Sequence, residues 1–135
     1  MKDKLKRLLN NSYSPYSRFR VSSIVVMKDG REFCGVNVEN ASYGAGICAE
    51  RNAIIGAIAN GYKKGDFEKI YVMCDNDKIG MSCMLCRQVM LEFFEKDKVV
   101  IAMNPNGDEE VHNIGELCPY PFDEDDLKWR VDLLV

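Results

Sequence analysis

Four residues with side chains suited to metal chemistry lie in two short motifs. Cys48 and Glu50 belong to a C-A-E triplet, and Cys83 and Cys86 form a C-x-x-C. A C-x-x-C at the start of a helix can bind one tetrahedral ion through both sulfurs, while a third thiolate comes from elsewhere in the fold. Three protein ligands leave one coordination position open, which is typical of catalytic rather than structural zinc. The sequence therefore predicts one Zn²⁺ per chain, bound by these three cysteines.

The residues beside these ligands predict hydrolytic chemistry. An ion with an open position lowers the pKa of a bound water from about 16 towards about 7 and so produces a nucleophile. Glu50 would lie near that water, where a carboxylate can take a proton and pass it to a substrate nitrogen. Three thiolates leave the site with a formal negative charge, which resists this ionisation unless positive charge lies nearby. Arg51, three residues after Cys48, is predicted to supply that charge, and Arg87 is the second candidate.

Hydrophobic periodicity and turn residues predict alternating strands and helices around the motifs. The predicted helices cover 2–11, 48–60, 82–96 and 125–134, and the predicted strands cover 21–27, 32–38, 70–74 and 99–103. Helix 48–60 is apolar almost all round and should be buried on most of its surface. Residues 39–47 form a predicted loop of the kind that often carries a site. This alternation, without repeat or linker, predicts an α/β fold in a single domain over 1–135.

Composition and charge exclude several classes of function. The 135 residues carry a net charge of −3 and have a sequence pI of about 5.2, so no general positive field attracts nucleic acid or anionic lipid. No run of residues is long and apolar enough for a membrane span or a signal peptide. Six cysteines without a secretion signal indicate reduced thiols. We expect a cytoplasmic protein with neither nucleic-acid nor membrane partners.

The remaining reactive residues are predicted to be structural. Cys34, Cys74 and Cys118 are expected to act as small apolar residues. The single His112 lies near a predicted final strand and away from the motifs, so it is expected to be a surface or structural residue rather than a ligand.

Several motifs together resemble the small, homotetrameric cytidine deaminases over nearly the whole chain: S-P-Y-S-R-F, N-V-E-N-A-S-Y-G, C-A-E-R-N-A, C-x-x-C-R-Q and L-C-P-Y-P-F. The order of the first cysteine, the glutamate and the C-x-x-C is also the signature of zinc deaminases. The resemblance implies a three-layer fold with a mixed five-stranded sheet and helices on both faces. It also implies a homotetramer whose active sites are completed by neighbouring subunits. The implied reaction is hydrolysis of cytidine and 2'-deoxycytidine to uridine and 2'-deoxyuridine with release of ammonia, in pyrimidine salvage.

The same resemblance assigns substrate contacts. Asn37 and Glu39 match the pair that binds the ribose, for which an amide and a carboxylate are suitable partners. Phe19 matches an aromatic ring that packs on the nucleoside, and Ala49 matches a backbone group at the pyrimidine edge. Tyr43 matches a subunit-contact tyrosine at the substrate site, and Phe122 matches an aromatic ring from across an interface. On sequence alone, core packing would be the ordinary role of the two phenylalanines.

Four positions depart from the family pattern. Ser82 and Met84 replace the proline and glycine of the usual P-C-G-x-C, and Arg20 and Ser22 replace the proline and glycine of the usual K-F-P-V-G. All three metal ligands are retained. Ser82 is predicted to cap the helix that the family's proline would start, whereas Met84 adds bulk between two ligands.

Three alternatives remain open at this stage. A blasticidin-type deaminase, or one acting on a modified cytosine nucleoside, would use the same zinc chemistry, although Asn37 and Glu39 favour a plain ribose. A structural zinc module for protein interaction would need a fourth ligand, and none is evident at ligand spacing. An enzyme that edits RNA or DNA would be expected to carry basic and aromatic stretches, which the acidic chain lacks.

Overall fold

A computed structural model describes residues 1–127, and a mixed five-stranded sheet lies at its centre. The elements in chain order are α1 (Lys2–Leu9), β1 (Val21–Met27), β2 (Glu32–Val36), a 3-10 turn (Tyr43–Ala45), α2 (Ala49–Ala59), β3 (Phe67–Cys74), α3 (Met84–Phe93), β4 (Val99–Met103), β5 (Glu109–Asn113) and α4 (Ile114–Leu117). Among the described residues, no helix is long and apolar enough to cross a membrane.

The order of strands across the sheet is β2-β1-β3-β4-β5. β3 and β4 are parallel and are connected through α3, whereas all other neighbours are antiparallel. β1 and β2 form the predicted hairpin, in which Gly30 has a φ of 90° and donates its N–H to Met27 O at 2.9 Å. A positive φ at the turn is the reason that a glycine suits this position.

Helices cover both faces of the sheet, which confirms the predicted three-layer α/β fold. On one face, Leu5 and Leu9 of α1 pack against Ile24, Met73 and Met103. On the other face, α2 and α3 bury apolar side chains against alternate residues of the same strands: Ala53, Ile54 and Met90 against Val25, Val72 and Val100. Since side chains alternate between the faces of a strand, each strand serves both cores.

Several predicted boundaries differ from the structure. β3 begins at Phe67 rather than at residue 70, because the buried Phe67 already pairs with Met27 across the sheet. β2 ends at Val36 rather than at residue 38, and Val38 instead bridges Tyr13 and Ile47. α1, α2 and α3 are each shorter than predicted, and the predicted helix over 125–134 lies mostly outside the described residues.

The predictions for the residues outside the motifs were partly correct. Of the three cysteines expected to act as small apolar residues, Cys74 is buried and Cys118 is partly buried, whereas Cys34 lies exposed on β2. His112 lies on β5 between two carboxylates, with Glu110 Oε1 at 2.5 Å and Glu116 Oε1 at 3.2 Å. The first of these contacts has the larger effect in raising the pKa of the imidazole.

Gly35 allows β2 and α2 to approach unusually closely. A Cβ atom at this position would lie 2.3 Å from Ala49 O and 2.5 Å from Ala53 N, and both are backbone atoms. Real Cβ contacts are essentially never this short, so a side chain here would displace the start of α2. The position of α2, and with it Glu50, therefore depends on this glycine.

Gly35→Ala is expected to lower the free energy of unfolding by about 3 kcal/mol or more, because overpacking against backbone cannot be relieved by a rotamer change. The measurement is equilibrium denaturation in urea. Gly115→Ala is the matched control, since a Cβ there would meet ordinary contacts of 3.4 Å or longer. We expect the control to stay within about 1 kcal/mol of the wild type. Equal stability of Gly35→Ala and the wild type would contradict the close approach.

Candidate active site

Three cysteine sulfurs meet where α2 and α3 begin. Cys48 and Cys83 are the N-cap residues of α2 and α3, and Cys86 lies in the first turn of α3. The three sulfur atoms lie within 4.8 Å of one another, and Cys48 Sγ is 3.8 Å from Cys83 Sγ. Within residues 1–127 this group has three members, without a fourth cysteine, histidine or carboxylate. The arrangement fits a zinc ion with an open coordination position.

The local backbone leaves these sulfurs available. Cys48 and Cys83 have extended backbone angles, and neither side chain makes a capping hydrogen bond to its helix. The predicted capping by Ser82 is wrong: Cys83 takes the N-cap position, and the buried Ser82 hydroxyl has no hydrogen-bond partner among the described residues. The positive ends of both helix dipoles therefore lie at the cluster, where they favour thiolate over thiol.

Electrostatic contacts within the cluster favour a thiolate. A hydrogen bond with Cys86, together with smaller effects from Arg51 and Cys83, lowers the pKa of the Cys48 thiol to about 5 even though burial opposes this shift. The same contact with Cys48, followed by burial, raises the pKa of Cys86. Arg51 Nη2 lies 3.4 Å from Cys48 Sγ, at the position expected from their spacing on a helix.

The Arg87 guanidinium donates hydrogen bonds to backbone oxygens. Its Nε donates to Ser82 O at 2.8 Å and its Nη1 to Leu117 O at 3.4 Å. Arg51 is therefore the arginine positioned to balance the charge of the sulfurs.

Glu50 lies in the first turn of α2 and is only 4% exposed. Burial raises the pKa of its carboxyl, and this effect is larger than the opposing effect of the nearby Ser82 hydroxyl. A carboxyl with a raised pKa holds and releases a proton closer to neutral pH, which suits a general acid and base. Glu50 is thus a buried carboxyl group one residue away from Arg51, which contacts the cluster.

A cavity of about 190 Å³ adjoins the cluster and contains most of the predicted site. Cys48, Cys83 and Glu50 line it together with the predicted substrate contacts Phe19, Asn37 and Ala49. Ala49 is the first residue of α2, so its N–H has no partner within the helix. The cavity thus combines two cysteines of the cluster, a buried carboxyl group, an aromatic ring and polar groups of the backbone and of Asn37.

The Asn37 side chain forms hydrogen bonds that fix its position in the lining of this cavity. Its Oδ1 accepts from Val21 N at 2.9 Å and from Ser12 Oγ at 2.5 Å, while its Nδ2 donates to Phe19 O at 2.7 Å. An amide nitrogen carries two hydrogens, so one donor remains for a ligand. The side chain can fix the position of Phe19 and contact a substrate at the same time.

Glu39 and Tyr43 lie in a neighbouring cavity of about 310 Å³. The carboxylate of Glu39 accepts backbone N–H groups from Tyr16 at 3.0 Å and Ser17 at 3.1 Å, and it also bonds the Ser17 hydroxyl. The contact with the hydroxyl is the main cause of a lowered pKa at Glu39. Tyr43 is 80% exposed and packs edge-on against Tyr16, with ring centroids 6.0 Å apart. In a single chain these residues do not line the cysteine cavity.

Phe122 lines neither of these two cavities. Its ring is 60% exposed, and its backbone oxygen accepts from Gln88 Nε2 at 2.7 Å. The contribution of this ring to the active site of a neighbouring subunit therefore stays a prediction.

Sequence reasoning did not identify three other cavity residues. Val21, Cys74 and Met81 complete the lining and make it largely apolar. Cys74 is the last residue of β3, and Val21, the first residue of β1, pairs with it. A signal was present, because sites often lie at the ends of sheet strands, but the pairing of β1 with β3 is not readable from the sequence.

Comparisons with known proteins agree with this site. The model for the cytidine and deoxycytidylate deaminase zinc-binding region matches residues 1–103. A curated cytidine deaminase from Halalkalibacterium halodurans is 40% identical over 116 residues, which cover 86% of each chain. The crystal structure of cytidine deaminase from Burkholderia pseudomallei has a TM-score of 0.85 at 41% identity and covers 89% of this chain and 94% of that one. That of cytidine deaminase from Mycobacterium tuberculosis has a TM-score of 0.77 at 28% identity, with coverage of 91% and 94%.

The chain therefore belongs to the family of zinc-binding cytidine and deoxycytidylate deaminases.

Proposed function

We propose that this protein is a zinc-dependent cytidine deaminase that converts cytidine and 2'-deoxycytidine to uridine and 2'-deoxyuridine with release of ammonia. The observation that carries the proposal is the meeting of three cysteine sulfurs within 4.8 Å of one another, two of which, those of Cys48 and Cys83, belong to residues that line one cavity with the buried Glu50. The similarity to cytidine deaminases over most of the chain supports the same reaction.

Cys48, Cys83 and Cys86 would hold one Zn²⁺ per chain. Bound zinc supplies Lewis-acid activation of water, so that a strong nucleophile forms near neutral pH. The two helix N-termini and the Arg51 guanidinium offset the negative charge of the sulfurs. With less negative charge at the sulfurs, a bound ion would be better able to lower the pKa of a water.

Glu50 moves the protons of the reaction. Its carboxylate accepts the proton that the attacking water loses and delivers it to the ring nitrogen of cytosine. The protonated ring then accepts the hydroxyl at the carbon that bears the amine. Glu50 next takes the proton of the added hydroxyl and gives it to the amine, the carbon–nitrogen bond breaks, and ammonia leaves as the carbonyl of uracil forms.

The other predicted residues orient the substrate. The free N–H of the Asn37 amide is available to a sugar hydroxyl, the Phe19 ring can pack on the nucleoside, and the backbone of Ala49 can bond the pyrimidine edge. We assign Glu39 to the sugar as well. Its position outside the cysteine cavity means that the ribose would extend towards the neighbouring cavity.

We also propose that the enzyme is a homotetramer active in pyrimidine salvage in the cytoplasm. Ile55 of α2 is 52% exposed, and Met84, Leu85 and Tyr43 are 65%, 66% and 80% exposed. Contiguous apolar patches are typical of interaction surfaces, and we propose that these side chains belong to such surfaces. A tetramer would cover them and bring Phe122 to the active site of a neighbouring chain.

The alternatives are less well supported. A structural zinc module needs a fourth ligand, which the cluster lacks within residues 1–127. A net charge of −3 does not favour an enzyme that edits long nucleic acids. A blasticidin-type or modified-cytosine deaminase shares the zinc chemistry, and the direct comparison is turnover of blasticidin S and of 5-methylcytidine against cytidine.

The absorbance change that accompanies conversion of cytidine to uridine tests the proposed function. Replacement of Glu39, the proposed ribose contact, tests recognition of the sugar. Glu39→Ala is expected to raise the KM for cytidine about 10- to 100-fold, because a hydrogen bond to a charged group would be lost. Free cytosine should be a much poorer substrate than cytidine, since it has no sugar to bind. Equal turnover of cytosine, or an unchanged KM, would refute sugar recognition by this residue. Glu95→Ala, an exposed glutamate paired with Lys28, is the control.

A further inference from the structure

Arg20 joins the two chain segments that border the cysteine cavity. Its Nε and Nη2 donate to Asp75 Oδ2 at 2.8 and 2.6 Å. The backbone of Asp75 returns the contact, because Asp75 N donates to Arg20 O at 2.9 Å. Residues 20 and 75 are therefore linked through both side chain and main chain.

Each member of this pair adjoins residues of the cavity wall. Arg20 lies between Phe19 and Val21, and Asp75 follows Cys74; these three neighbours all line the cavity. The sheet ladder already pairs Val21 with Cys74, so the register of the strands does not need the ion pair. The Arg20–Asp75 ion pair links the two segments one residue beyond the last pair of the ladder, next to Phe19.

The segment that carries Phe19 is held by hydrogen bonds rather than by regular secondary structure. It follows Arg18, a non-glycine residue with a φ of 58°, in a stretch without regular structure between α1 and β1. Phe19 itself is 42% exposed, so packing alone does not fix its ring. Asn37 Nδ2 donates a hydrogen bond to Phe19 O, and Phe19 N donates one to Ser17 Oγ.

We propose that Arg20 and Asp75 are positioning residues that hold Phe19 against the cavity and thereby increase the affinity for the nucleoside. This inference rests on the proposed function. Exposed ion pairs contribute little to global stability, and the side chains of Arg20 and Asp75 are 39% and 34% exposed. A pair of this kind therefore acts on the local position of Phe19 much more than on folding.

Arg20→Ala is expected to raise the KM for cytidine about three- to fivefold, as loss of an exposed ion pair allows. The kcat, the zinc content and the Tm should stay unchanged. The same change in a Phe19→Ala background should have no further effect, because the pair acts through that ring. The exchange Arg20→Asp with Asp75→Arg should recover part of the affinity.

Lys28→Ala is the matched control, since Lys28 forms a similarly exposed ion pair with Glu95 at 2.8 Å and lies outside the cavity lining. An active wild type with an unchanged KM in Arg20→Ala would overturn this inference and leave the proposed function intact. A parallel fall in kcat, zinc content and Tm would also overturn it, because the pair would then be structural. A zinc-loaded wild type that does not act on cytidine would instead overturn the proposed function and this inference with it.

Discussion

Glu50→Gln is expected to fold and bind zinc normally but to lose cytidine turnover by about ten-thousandfold or more, the upper end of the range for general acid–base catalysis. Glutamine keeps the shape of the side chain but cannot accept a proton. In the proposed mechanism Glu50 acts twice, first on the attacking water and the ring nitrogen and then on the departing amine. The loss of a negative charge from a buried site adds to the effect.

The measurement is the initial rate of uridine formation at matched zinc content. Glu92→Gln is the control, because Glu92 is an exposed residue of α3 outside the cysteine cavity. It should retain full activity. A Glu50→Gln enzyme with intact zinc and more than about a tenth of wild-type turnover would remove Glu50 from the mechanism.

Cys83→Ala is expected to abolish stoichiometric zinc binding, and activity with it. Two of the three sulfurs remain, but the C-x-x-C motif then supplies one thiolate ligand instead of two. Zinc at about a hundredfold excess over its Kd stabilises a folded protein by about 2.7 kcal/mol, so the variant should also lose the rise in Tm that zinc gives the wild type.

Metal analysis and thermal unfolding with and without zinc check this expectation. Cys118→Ala is the matched control, since Cys118 is a partly buried thiol whose sulfur lies 3.5 Å from Arg87 O and outside the cluster. It should keep one zinc per chain. Retention of stoichiometric zinc by Cys83→Ala would mean that the ion is bound by another set of ligands.

The grouping of side chains within each motif was predictable because their spacing along the chain is local. Cys48, Glu50 and Arg51 lie within one helical turn, so their approach follows from helix geometry alone, as does that of Cys83 and Cys86. That the two helix starts meet at one point follows from the resemblance and not from periodicity.

Contacts between distant segments could not be predicted in the same way. The hydrogen bonds that Asn37 makes to Ser12, Phe19 and Val21 depend on how β1, β2 and the preceding loop are placed in three dimensions. The same holds for the separation of Glu39 from the cysteine cavity.

The predicted burial of α2 on most of its surface holds only in part within one chain. Ala53, Ile54 and Ala57 are fully buried, whereas Ile55 and Ile58 are 52% and 36% exposed. Hydrophobic composition indicates that a surface is covered, but it does not say whether its own chain or a neighbouring one covers it.

Zinc titration into the metal-free protein, followed by uridine formation from cytidine, tests the central claim most directly. We expect no turnover without zinc, an increase in proportion to added zinc, and a constant rate beyond one zinc per chain. Undiminished turnover after complete zinc removal, or no uridine formation at one zinc per chain, would contradict it.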